Sequence, residues 1–174
     1  MDDTFFVYLK QLEMMAFFSG YPLLYAVTLF IAGNPQTRNK FKTRIISLLP
    51  YGYALAGTLY LGLQLRNLYP DFSSQNINRV MQQPLLVLWG LFSILFWIPA
   101  LSKKPFLSLL HSLIFFFLLV KDLFLHSFQS PAGNDVVKND MKIYTDSLLV
   151  NLGSFVFIIL ISSLVIYYKR HLRR

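Results

Sequence analysis

Asp122 and His126 stand four residues apart near the end of PFLSLLHSLIFFFLLVKDLFLH, the apolar run from Pro105 to His126. One helical turn of separation puts a carboxylate and an imidazole on one face, where they can act as a proton relay or a general base. No serine, cysteine or third carboxylate stands at a spacing that would complete a hydrolytic set, so no catalytic residue is assigned. His111 lies on the same face but deeper in the run. A histidine there invites a haem or metal reading, since imidazole is a common axial ligand. Arithmetic opposes it: His111 and His126 are ~22 Å apart along a helix rising ~1.5 Å per residue, and the third histidine, His171, is in the tail. No metal and no cofactor is expected, and His111 is read as a packing histidine hydrogen-bonded to a serine of the last helix.

Glu13, Arg66 and Asn151 join these three as a candidate polar cavity made of His111, Asp122, His126, Asn151, Glu13 and Arg66. All but His111 fall at one depth in the span assignment below. Groups of opposite sign gathered there would offset one another's burial cost, forming a vestibule open to one side. Motifs for phosphate loops, zinc proteases and intramembrane serine nucleophiles are absent, and cysteine is absent too. An enzyme is therefore the less favoured reading.

Those residues need helices to hold them in a membrane. The 174 residues are 55% hydrophobic and 17% aromatic, too apolar for a soluble domain of ordinary composition. The run from Pro105 to His126 would extend ~33 Å as a helix, enough to cross a hydrocarbon core. Stepping ~100° per residue groups Ser108, His111, Ser112, Phe115, Asp122 and His126 on one side and Leu110, Leu113, Phe117 and Leu123 on the other. The polar side must be covered by protein.

The expected architecture is all-α, a single domain forming a five-helix transmembrane bundle with spans near 14–32, 45–65, 84–101, 105–126 and 147–168. An amphipathic lead segment at 5–13 precedes them, and Pro22 is expected to kink the first span. Ala54, Thr58 and Gly62 form a small-residue stripe on the second span that suits helix packing. Ser147, Asn151, Ser154 and Ser162 make a polar stripe on the fifth, expected to face that of the fourth. The stretch 129–146 reads as a loop with room for a short surface helix at 136–144.

Charge orients the bundle. Arg38, Lys40, Lys42, Arg44, Lys103, Lys104, Lys169, Arg170, Arg173 and Arg174 fall on one side, ten of the 16 basic residues, while all eight acids lie on or toward the other. Basic loops stay in the cytoplasm, which gives N-out and C-in. The net charge of +8 is thereby explained by topology and by contact with anionic lipid headgroups, without nucleic acid. The acidic start, Met1-Asp2-Asp3, is unlike a cleaved signal peptide, so the first span is expected to remain in the mature protein. The expected location is a membrane, a bacterial inner membrane in preference to a eukaryotic one.

Three functions fit. The favoured one is a non-enzymatic subunit of a homo- or hetero-oligomeric membrane complex, with a second copy or another membrane protein as partner. The alternatives are a small pore or carrier with an outward vestibule, and an intramembrane enzyme or lipid-modifying factor using Asp122 and His126.

Overall fold

The computed structural model of the chain describes residues 3–32, 40–69, 72–74, 77, 83–129 and 133–172, excluding the side chains of 3–10, 40–41, 125–129, 133–140 and 170. It is all-helical, with no strand among the described residues. The helices are α1 (Asp3–Phe18), α2 (Tyr21–Ala32), α3 (Lys40–Leu68), α4 (Pro84–Phe92), a 3₁₀ segment (Ser93–Trp97), the single turn α5 (Pro99–Ser102), α6 (Pro105–Gln129) and α7 (Gly133–His171).

Among the described residues, four stretches are long and apolar enough to cross a membrane: Gln11–Ala32, Lys42–Leu68, Pro105–Phe124 and Met141–Lys169. The expected third span is the exception. Its apolar stretch Pro84–Trp97 is too short on its own. The α-helical part has nine residues, ~14 Å long. It then tightens into the 3₁₀ segment and stops at Ile98, whose extended backbone (φ −73°, ψ 124°) is what a following proline imposes.

Other expected boundaries also move. The lead segment is continuous with the first span in α1. The break between α1 and α2 falls at Ser19 and Gly20, and Pro22 sits in the first turn of α2, where its missing N–H costs nothing. The stretch 133–146 is the N-terminal part of α7, which runs uninterrupted for 39 residues, in place of a loop.

Several neighbouring helices run antiparallel. Along α3, Tyr60, Gly57, Tyr53 and Tyr51 meet Gly90, Ser93, Phe96 and Trp97 in turn, so the segment from α4 through the 3₁₀ turn is antiparallel to α3. α6 is antiparallel to α1 and α2: Asp122 bonds Gln11, Phe115 packs on Phe18, and Ser108 bonds Tyr21. Phe155 and Ser162 of α7 meet Gly52 and Arg44 of α3, again antiparallel. One end of the bundle therefore carries Lys42, Arg44, Lys103 and Lys104, here the basic end, and the opposite, acidic end carries Glu13, Gln64 and Asp122.

Close approach of helices rests on glycines other than the expected one. A Cβ on Gly20 would lie 2.6 Å from the Leu148 backbone nitrogen, and one on Gly57 would collide with the Ser93 hydroxyl. Gly62 is exposed with open space beside it. Of the expected stripe, Ala54 is buried and Thr58 half-buried, with its hydroxyl returned to the Leu55 carbonyl of its own helix. The inward face of α3 is instead Leu49, Tyr53, Ala56, Tyr60 and Gln64, a 3.6-residue period rich in tyrosine.

Candidate functional site

The middle of the bundle is filled by rings. Phe18, Tyr21, Tyr53, Phe96 and Phe115 are buried around His111, with ring centroids 4.3 to 6.1 Å apart along the pairs that link them. Such offset and edge-on pairs each add ~0.5–1.5 kcal/mol beyond the area they bury.

His111 is the only ionisable imidazole in this layer, and both of its nitrogens are engaged. Nε2 lies 2.8 Å from the Trp89 carbonyl oxygen and Nδ1 lies 2.7 Å from the Tyr53 hydroxyl. A carbonyl only accepts, so Nε2 carries a proton, and in the neutral ring Nδ1 accepts from Tyr53. The Trp89 indole stacks flat on the imidazole at 4.8 Å and 7°, and its N–H donates to the His111 carbonyl at 3.3 Å. The packing role expected for His111 is therefore filled by Tyr53 and Trp89 in place of a serine of the last helix. A groove of about 500 Å³ between α4 and α6 has His111 in its wall. A metal or haem entering there would have to break one of these two bonds.

Asn151 does different work from that expected of it. Ending α1 at Phe18 frees the Phe17 carbonyl and the Gly20 amide from helical partners. Two residues one turn apart on α7 take both up. Asn151 Nδ2 donates to the Phe17 oxygen at 2.7 Å and to the Ser147 oxygen at 2.8 Å, and the Gly20 N–H donates to Ser147 Oγ at 2.8 Å. The polar stripe of α7 thus faces the helix break, and further along α3, and does not face the stripe of α6. The buried stripe of α6 closes on other neighbours, Ser108 on Tyr21 and Ser112 on its own Leu109 carbonyl.

At the acidic end Gln11 donates to Asp122 Oδ2 at 2.8 Å, and Glu13 is half-buried within electrostatic reach of the Tyr60 hydroxyl. Arg66 is exposed and points away from this interior, and the His126 side chain lies outside the described residues. The structure thus brings Asp122 and Glu13 to one end, places His111 and Asn151 in separate packing roles, and leaves Arg66 on the surface.

Two residues that spacing did not single out belong to the same end. The Tyr60 hydroxyl and both amide atoms of Gln64 are buried with no hydrogen-bond partner among the described residues. They stand four residues apart on α3, one face, and that periodicity with Tyr53 was the signal that could have found them. No known protein family, curated protein or solved structure is significantly similar to this chain.

Proposed function

We propose that the chain is a non-enzymatic subunit of a membrane complex, crossing the bilayer five times with its N-terminus outside and C-terminus inside. Supporting five crossings, α4, the 3₁₀ segment and α5 follow α3 antiparallel, and an irregular span is tolerated at membrane depth when it is packed against protein. With that segment crossing, Lys42, Arg44, Lys103 and Lys104 share the cytoplasmic side.

The observation that carries the subunit reading is the closed centre. Rings fill the middle of the bundle, and the His111 imidazole there is held by two hydrogen bonds and a stack, so the monomer offers no free base at that position. What such a scaffold can offer lies at its ends and on its outer surface. Gentle solubilisation, followed by mass determination and identification of co-purifying chains, tests the reading. A homo-oligomer or a defined partner is expected, and a monomer recovered alone would count against it.

The unpartnered Tyr60 and Gln64 favour one second reading, a shallow vestibule for a small polar solute at the outer end. Unchanged solute uptake into liposomes carrying Asp122→Asn protein, against the wild type, would remove it.

A further inference from the structure

We propose that the groove between α2, α3 and α7 holds one acyl chain of an anionic phospholipid, with its phosphate against Lys42 and Arg44. The groove encloses about 410 Å³, within the range of ligand pockets. It runs along the helices, from Leu24 to Ile31 on one wall and Leu152 to Ile159 on the other. Seven residue steps along each wall make it ~10 Å long, narrow and parallel to the helix axes, which is the course of a lipid chain. Its floor is Thr28, Ala32 and Phe155, all buried. Thr28 returns its hydroxyl to the Leu24 carbonyl at 2.8 Å and so leaves its methyl to the groove.

Apolar lining alone selects nothing in a bilayer, because the tails it displaces are equally apolar. Selection comes from the mouth. Lys42 lines the groove at the end where the apolar stretches Gln11–Ala32 and Lys42–Leu68 terminate, which puts its ammonium at headgroup depth. Arg44 lies about half a turn round α3 from Lys42, outside the groove lining, and reaches the groove's end by donating to Ser162 Oγ of α7, about one turn beyond Ile159, at 2.9 Å. That bond ties the guanidinium across to α7, and the remaining donors suit the forked contacts arginine makes to phosphate. The inference requires only that these helices sit in a membrane, and does not depend on the subunit reading.

The test is native mass spectrometry of the full chain in mild detergent, mixed with phosphatidylglycerol and phosphatidylcholine of matched chains. One phosphatidylglycerol per chain is expected to persist, preferred ~25-fold, since each surface cation contributes about fivefold toward an anionic lipid. Lys42→Gln should reduce the preference to about fivefold and Lys42→Gln/Arg44→Gln should abolish it. Val156→Trp, an outward residue on the groove wall, should lower retention while helical circular dichroism and elution volume stay unchanged, which separates lost binding from lost folding. Equal retention of the two lipids would overturn the proposal. So would several phosphatidylglycerols per chain, indifferent to all three variants, or oleate retained in preference to phosphatidylglycerol.

Discussion

His111 and Gln64 are both buried polar side chains on inward helix faces, 9% and 5% exposed, yet they stand at opposite extremes of satisfaction. His111 has each nitrogen matched and a ring stacked on it, whereas Gln64 has four hydrogen-bonding positions and no partner among the described residues. A low dielectric raises the stakes of both, strengthening a completed bond and making an unmade one expensive. The His111 site is thus complete, whereas the acidic end holds buried bonding capacity that no described residue fills.

The largest effect should follow from His111→Ala. It removes a stacked ring and leaves Tyr53 and the Trp89 carbonyl without their partner, so a loss of about 3–5 kcal/mol is expected in reversible unfolding from mixed micelles. A cost below ~1 kcal/mol would put His111 outside the structural class. Tyr53→Phe, which keeps the ring and removes the donor to Nδ1, should cost about 1–2 kcal/mol by the same assay.

Gln64→Leu inverts the expectation. Stability should be unchanged or raised by up to ~1 kcal/mol in detergent, because an unmade amide is exchanged for apolar packing. A clear destabilisation would show that the amide is already satisfied in solution, and the contrast with His111 would collapse. Gln11→Ala should have the smallest effect, about 0.5–1 kcal/mol, since its bond to Asp122 is only partly buried.

Much of the architecture was legible in the sequence for simple reasons. Length and hydropathy mark α3, α6 and α7, and the 100° step separates the buried Ser108, His111 and Ser112 from the exposed Leu110 and Phe117. The helix is shorter than expected from Pro84 to Leu101 because hydropathy counts apolar residues without registering that Ile98 must leave the helix before Pro99. Small residues on α3 drew the packing face to Gly62, while Tyr53 and Tyr60, which carry no small-residue signal, are the residues that turn inward. The partners of His111 come from 58 and 22 residues away, and Asn151 serves a break 134 residues distant. No spacing rule reaches that far; only the packed helices bring such groups together.

Because the chain has no cysteine, single introduced thiols report accessibility without background. The most direct measurement compares labelling of Arg66→Cys, exposed at the acidic end, and Ser112→Cys, buried in the centre, by a membrane-impermeant maleimide in proteoliposomes. The sealed centre and open acidic end predict that the first is modified and the second is not. Equal modification of the two would contradict the sealed centre, and with it the account of this protein as a closed scaffold.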